Sequence, residues 1–166
     1  DISYDEQMHE TLAYMAQNKI AVEINLTSNE VILGVKGEDH PFTTYMANGV
    51  PLTISTDDEG VSRIDLTNEY HRLVRTYDVD YATLVSLSRN SLQYSFLPGA
   101  ALFEDTYTGR KTEECRHIAD SESIKPEDSC AELLSSSPKA SLQWKLEENF
   151  TSFEAYIKNQ LDELKL

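Results

Sequence analysis

The spacing of apolar residues changes repeatedly along the first hundred positions of the chain, and each change predicts a new element. Over residues 3–18 apolar residues recur every three or four positions, which predicts an amphipathic helix. Two short runs rich in apolar and β-branched residues, 20–26 and 52–56, predict strands. Strands that alternate with helices at this spacing are typical of βα units, so the predicted fold class is α/β with a parallel sheet.

Further helices are predicted around and after the second strand. One opens at His40-Pro41, because proline suits the first helical position, and it ends at Gly49. Amphipathic helices follow over residues 65–77 and from residue 80 onward. Residues 31–35 are apolar but few, which predicts a turn packed against the core. The side chains expected on the buried face of the His40-Pro41 helix are Phe42, Tyr45 and Met46.

The composition changes after residue 98, where acidic residues, serine, threonine and lysine become frequent. Residues 104–137 are interpreted as an irregular surface excursion, and Ser137-Pro138 starts a long helix that runs to the end of the chain. The apolar residues of that helix approximate a heptad seam: Leu142, Leu146, Phe150, Phe153, Ile157, Leu161 and Leu164. The predicted domains are βα units over 1–98, a polar insertion over 99–137 and a carboxyl-terminal helix over 138–166.

The charge of the chain limits its partners. Its 166 residues carry a net charge of −15 at pH 7, so nucleic acids and anionic membrane surfaces would repel it and neither is expected as a partner. No apolar run reaches the ~18 residues that span a bilayer. The sequence begins at Asp1 with neither a methionine nor a signal peptide, which predicts a processed or trimmed product.

Two cysteines, Cys115 and Cys130, lie in the polar segment. One pair in such a segment predicts a disulfide and an oxidising compartment, the periplasm or the outside of the cell, in preference to the cytoplasm. The alternative is two unrelated free thiols in a cytoplasmic protein. His117 lies between the cysteines, but one histidine and two cysteines over this span lack the spacing of a zinc finger, so a metal site is not expected there.

The strongest candidate for chemistry is the pair of carboxylates at Asp57 and Asp58, where the second predicted strand stops. Reactive groups of β/α barrels lie at the carboxyl ends of the strands, and the loop predicted at residues 27–29 would share that edge. Neighbouring carboxylates repel each other unless a cation or hydrogen-bond donors compensate their charge. A metal on one carboxylate and a polar substrate on the other would satisfy both. The alternative is a solvated turn that happens to contain acidic residues.

The residues around this pair carry a family resemblance over positions 10–98. The stretches that carry it, in chain order, are Glu23-Ile-Asn-Leu-Thr-Ser-Asn29, His40-Pro-Phe, Asn48-Gly-Val-Pro51, Asp57-Asp-Glu-Gly60, Asp65-Leu-Thr-Asn-Glu-Tyr70 and Arg89-Asn-Ser-Leu-Gln-Tyr-Ser-Phe-Leu-Pro98. Their order resembles the carboxyl-terminal quarter of the adenosine deaminase family. The resemblance implies the carboxyl-terminal portion of a (β/α)8 TIM barrel with a carboxyl-terminal helical extension, which would lie on the barrel exterior or contact a partner helix.

The resemblance also implies chemistry and residue roles. Adenosine deaminases use zinc to hydrolyse adenosine to inosine and ammonia. Carried over to this chain, the zinc-ligating aspartate of the eighth strand is Asp57, and the acid that holds the purine ring through its N7 edge is Asp58. Both would be catalytic residues, and Asp58 would bind the substrate.

The departures from the family pattern are large. The four histidines, at positions 9, 40, 71 and 117, include no His-x-His pair, and the family's His-Ala-Gly-Glu and Gly-His-Gly motifs are absent. We therefore expect the last part of a larger deaminase, whose missing amino-terminal part is its partner. The chain alone is expected neither to bind catalytic zinc nor to turn over substrate. The alternatives are a non-catalytic, deaminase-like binding or signalling protein and a deaminase of another amino-purine.

Overall fold

The structure is a computed structural model that describes residues 6–120, 125 and 128–164. The backbone forms two compact units whose boundary falls between Ser91 and Leu92. Helices predominate in an α/β arrangement, as predicted. The elements are α1 (Glu6–Gln17), β1 (Val22–Ile24), α2 (Leu26–Leu33), a 3-10 turn (Gly37–Asp39), α3 (Phe42–Ala47), β2 (Leu52–Ile54), α4 (Glu59–Ser62), α5 (Leu66–Tyr77), α6 (Tyr81–Gln93), β3 (Phe103–Asp105), β4 (Arg110–Lys111), α7 (Ser129–Ser136) and α8 (Pro138–Glu163).

The first unit is built on the parallel pair β1 and β2, in which Val22 pairs with Leu52 and Ile24 with Ile54. Within the described residues these two strands pair with each other and with no third strand. One carbonyl of β2, that of Leu52, accepts a hydrogen bond from the buried side chain of Asn90 on α6 at 2.9 Å. The described residues therefore do not form a closed barrel.

The core of the first unit is formed by residues of both strands and of α2, α3, α5 and α6. The Phe42 and Tyr77 rings pack with centroids 4.7 Å apart. Met46 was expected to be buried but is 43% exposed, whereas Phe42 is fully buried and Tyr45 packs against the core. Gly49 has the predicted left-handed backbone, with φ +69°. The buried core residues are Ile24, Leu26, Phe42, Leu52, Ile54, Leu73 and Leu87.

Two predictions for the chain after β1 are wrong. The expected loop at residues 27–29 is the first turn of α2, and the expected packed turn at residues 31–35 is largely the end of the same helix. Val31, Ile32 and Leu33 are 74%, 68% and 67% exposed instead of packed down. Strand β1 ends early because the Asn25 carbonyl already accepts the first helical hydrogen bond, from the Asn29 amide at 2.8 Å. Helix α2 therefore begins where a loop was expected.

The second unit has its own small core around a disulfide. Cys115 and Cys130 are joined, with their Cα atoms 4.7 Å apart, and both are fully buried. Lys111 is also buried, donates to the Ile118 carbonyl at 2.7 Å and lies 4.4 Å from the centre of the Trp144 ring. The other members of this core are Leu102, Phe103, Ile118 and Ala140. The segment predicted to be irregular therefore contains the β3–β4 hairpin, α7 and much of a hydrophobic core.

Helix α8 uses a different face from the one its apolar spacing predicted. Its buried residues recur at i, i+3, i+4 and i+7: Ala140, Gln143, Trp144 and Glu147. Gln143 is accommodated because its Oε1 accepts from the Leu102 amide at 2.7 Å and its Nε2 donates to Gln93 Oε1 at 2.8 Å. Most of the predicted seam beyond residue 150 is exposed. None of the helices in the described ranges is long and apolar enough to cross a membrane.

Candidate functional site

The carboxyl ends of β1 and β2 lie at the same edge of the strand pair, because the strands are parallel. The pairing continues past both strands, since the Ser55 amide donates to the Ile24 carbonyl at 3.0 Å. Asp57 and Asp58 follow directly after this point, and both are exposed. Asp57 has a left-handed backbone, with φ +54°, which is uncommon outside glycine and is tolerated best by Asn and Asp. An aspartate at position 57 thus suits the backbone conformation of the turn after β2.

A hydrogen bond joins this turn to the first turn of α2. The Ser28 hydroxyl donates to Oδ2 of Asp57 at 2.8 Å, and Ser28 itself is buried. The contact holds one carboxylate oxygen of the exposed Asp57 against the first turn of α2 and does not use the other oxygen. A carboxylate oriented in this way can ligate a metal ion through its remaining oxygen.

The first turn of α2 rests on a buried polar network. Glu69 of α5 is fully buried, and its carboxylate accepts from the amide of Thr27 at 3.2 Å and from the hydroxyl of Thr27. Arg72 donates to the same hydroxyl at 3.2 Å and forms an ion pair with Glu30. Each polar group of this network therefore has a partner, as burial requires.

His40 links the start of α3 to α2 through hydrogen bonds. Its Nδ1 accepts from the Phe42 amide at 3.1 Å, so the ring proton is on Nε2, which donates to Asn29 Oδ1 at 2.9 Å. Burial lowers the pKa of His40 below its usual value, so the neutral ring is the form that these bonds use. Both ring nitrogens are engaged, and His40 is therefore a structural residue here.

The donors for a metal ion are incomplete within the described residues. A zinc site needs about three protein ligands and a water, and Asp57 supplies one carboxylate of the kind that zinc accepts. The described ranges hold no group of three or more His, Cys, Asp or Glu side chains that could bind a metal. His117 is exposed, and its neighbouring cysteines are in a disulfide, so they offer no thiolate ligand. Asp57 is therefore chemically suited to be one ligand of a zinc ion, and the described residues do not complete a site around it.

One further atom at this edge has no partner. Oδ1 of Asn25, at the end of β1, is buried and accepts no hydrogen bond. Asn25 is the N-cap of α2, yet its side chain makes no capping bond. Such a buried orphan acceptor costs free energy until a donor reaches it.

Sequence reasoning placed residues 27–29 at the same edge as Asp57, although as a loop, but it missed Glu69. A signal for Glu69 was present, because it lies four residues before Leu73 and therefore on the same face of the amphipathic helix α5. A charged residue on such a stripe must find a partner when it is buried. No local signal identified that partner, since Thr27 is 42 residues away in sequence.

The match to a known protein family covers the whole of the first unit and ends shortly after it. Residues 1–102 match the family model for adenosine deaminase. An aminodeoxyfutalosine deaminase of Streptomyces avermitilis is 37% identical over 103 residues, which cover 58% of this chain and 29% of that protein. The protein of the same name from Streptomyces coelicolor is 37% identical over 103 residues, covering 58% of this chain and 27% of its own length.

An adenosine deaminase of Shewanella loihica is 36% identical over 87 residues, which cover 52% of this chain and 26% of that protein. The chain therefore spans less than a third of the length of these curated relatives. No solved structure matches it.

Proposed function

The chain belongs to the adenosine deaminase family, and on that premise we propose that it is the carboxyl-terminal part of a zinc-dependent barrel that hydrolyses adenosine to inosine and ammonia. The observation that carries the proposal is the Asp57 carboxylate, exposed at the carboxyl ends of two parallel strands and held through one oxygen by the buried Ser28 hydroxyl. A solvated turn would not need a buried donor from a different helix to orient its carboxylate.

The two acids of the turn have separate roles in this proposal. Asp57 binds the metal through the oxygen that Ser28 leaves free. Asp58 starts α4 and makes no capping bond with its side chain, so its carboxylate is available to hold the purine ring near N7. Bound zinc supplies a water whose pKa is lowered toward ~7, a nucleophile for the ring carbon that carries the amino group.

The rest of the barrel is the partner that the proposal requires. Strands β1 and β2 pair only with each other among the described residues, and unpaired strand edges at the centre of a fold invite further strands. The orphan acceptor of Asn25 lies at the same edge. We propose that further strands supply the remaining zinc ligands and the acid–base groups, and that the 166-residue chain alone is inactive.

A second substrate is supported by the comparisons. Two relatives that match this chain over 103 residues are named aminodeoxyfutalosine deaminases, whereas the adenosine deaminase matches over 87 residues. We therefore propose aminodeoxyfutalosine as the alternative substrate, with the same hydrolytic deamination. A non-catalytic, deaminase-like binding protein is the remaining alternative.

The buried disulfide supports a periplasmic or secreted location.

The experiment compares three variants in the complete barrel, meaning the polypeptide or assembly in which this chain is joined with the other strands. Asp57→Asn is expected to weaken zinc affinity more than about 100-fold, because it removes a ligand and not merely the partner of a ligand. Asp58→Asn is expected to keep the zinc and raise KM for the purine. Asp39→Asn, an exposed acid in the 3-10 turn, is the matched control and should change neither.

Zinc content is measured by elemental analysis, and activity by ammonia release from adenosine and from aminodeoxyfutalosine. Full zinc content in Asp57→Asn would refute the assigned metal ligand. Deamination by the pure 166-residue chain would refute the claim that it is incomplete. Zinc binding by the complete barrel without turnover of either substrate would support the binding protein.

A further inference from the structure

Glu69 is a charged residue in a place where charges are rarely found. It is fully buried on α5, and its two carboxylate oxygens both face Thr27. Oε2 accepts from the Thr27 backbone amide at 3.2 Å, and Oε1 accepts from the Thr27 hydroxyl. Retaining such a group in a core has a desolvation cost that an apolar residue would not have. The packing of α5 alone therefore does not explain a glutamate at this position.

The contacts of Glu69 replace the missing cap of α2. The first amides of a helix lack internal partners, and the N-cap residue usually supplies one. Asn25 occupies the N-cap of α2 without making that bond. The Glu69 carboxylate supplies it from another helix, and its negative charge lies favourably at the positive end of the α2 dipole. Arg72 completes the arrangement by donating to the Thr27 hydroxyl at 3.2 Å.

The turn held in this way is the one that orients Asp57. Thr27 and Ser28 are consecutive residues of the first turn of α2, and both are buried. The Ser28 hydroxyl donates to Asp57 Oδ2 at 2.8 Å. A continuous path of short contacts thus runs from Glu69 through Thr27 and Ser28 to the exposed carboxylate.

From this path we infer that Glu69 is a positioning residue for the Asp57 carboxylate. It acts by fixing the first turn of α2, which sets the direction of the Ser28 hydroxyl and hence the oxygen that Asp57 presents. The inference rests on the proposed function in one respect, because it takes the presented oxygen to be a metal ligand. Glu69 itself, buried behind α2, touches neither metal nor substrate.

The test uses the complete barrel with Glu69→Gln and Thr27→Val. Glutamine keeps one acceptor for the Thr27 amide, removes the negative charge and places an amide donor against the Thr27 hydroxyl, which can then no longer donate there. Valine keeps the shape and the backbone amide of Thr27 but removes its hydroxyl, so it is the milder variant if Glu69→Gln folds poorly. Leu73→Ala is the matched control, because Leu73 is also fully buried on α5 but is an apolar core residue with no hydrogen bond to α2.

Zinc affinity is measured by competition with a chelator, and thermal stability is measured on the same samples. Glu69→Gln is expected to weaken zinc affinity about 10- to 100-fold, as is typical when a group that orients a metal ligand is changed, and Thr27→Val by about 10-fold. Leu73→Ala is expected to lower the melting temperature at least as much and to leave zinc affinity within about twofold. Combining Glu69→Gln with Ser28→Ala should add little beyond the single changes, because both act through one path.

The outcomes separate this inference from the proposed function. Absence of zinc binding by the unmodified barrel would overturn the proposed function, and the inference with it. Normal zinc binding by the unmodified barrel and by both variants, with only a lower melting temperature, would overturn the inference alone and make Glu69 a purely structural residue. Additive losses in the Glu69→Gln/Ser28→Ala double variant would also contradict the single path.

Discussion

The two units of the chain place their buried polar groups differently. In the first unit, Glu69, Ser28 and His40 all contact the helix or turn that follows a strand, so their hydrogen bonds converge on the edge that carries Asp57. In the second unit, Lys111 and Gln143 are satisfied within the core that surrounds the disulfide.

The family match ends at residue 102, so the first unit lies within the match and most of the second lies outside it. The difference teaches that a buried polar group indicates function only when its contacts lead to an exposed reactive group. Lys111 is as completely partnered as Glu69, yet its contacts end on a backbone carbonyl, the carboxylate of Asp120 and the Trp144 ring. Its role is therefore to stabilise the second unit.

The largest expected effect comes from removing the disulfide, which tests whether the core of the second unit is separate from the metal site. Replacing Cys115 and Cys130 together by serine opens a loop of 15 residues and should destabilise the second unit by about 3 kcal/mol. Trp144 is the only tryptophan and lies in that core, so its fluorescence during urea unfolding reports this unit.

The same double variant is expected to leave zinc affinity of the complete barrel unchanged. A loss of zinc affinity comparable to that expected for Glu69→Gln would break the comparison, because it would show that the core of the second unit also supports the metal site.

The next largest effect concerns His40. Its replacement by alanine leaves the Phe42 amide and the Asn29 side chain without partners and should destabilise the first unit by about 2 kcal/mol at pH 7.5. The folded state lowers the pKa of His40, so below about pH 6.5 the unfolded chain binds more protons than the folded one. The contribution of His40 is therefore present above pH 6.5 and is lost as the pH falls.

Urea unfolding followed by circular dichroism at pH 7.5 and 5.5 measures this difference. The stability gap between the natural chain and His40→Ala should shrink at the lower pH. His71→Ala, an exposed histidine on α5, is the control and should show no such dependence on this contact. A gap that widens at pH 5.5 would contradict the neutral, doubly bonded ring.

The smallest effect compares the caps of two helices. Asp65 caps α5 at the surface by accepting from the Asn68 amide at 2.8 Å, and Asp65→Ala should lower stability by about 1 kcal/mol. Ser137 caps α8 but is buried and also donates to the Ala100 carbonyl at 2.6 Å, so Ser137→Ala should have the larger effect. Equal losses in urea unfolding would show that the second bond of Ser137 contributes nothing.

The close approach of Gly99 explains why the backbone at Ser137 has little room to shift. Gly99 has φ +100°, and a Cβ placed there would lie 2.8 Å from the Ser137 Cα atom. The turn before the core of the second unit and the start of α8 are thus in close contact. No spacing in the sequence indicated this contact, because the two residues are 38 positions apart.

The sequence by itself determined the α/β class, the approximate bounds of α5, the left-handed Gly49 and the family to which the chain belongs. These follow from local preferences and from motifs that are contiguous in the chain. Only the tertiary structure decided that residues 26–33 form a helix with an exposed apolar end, that α8 buries a face other than its apolar seam, and that Glu69 caps α2. The reason is that these features depend on contacts between residues distant in sequence. Such contacts hydrogen-bond the buried Gln143 in α8 and supply the cap of α2 from another helix.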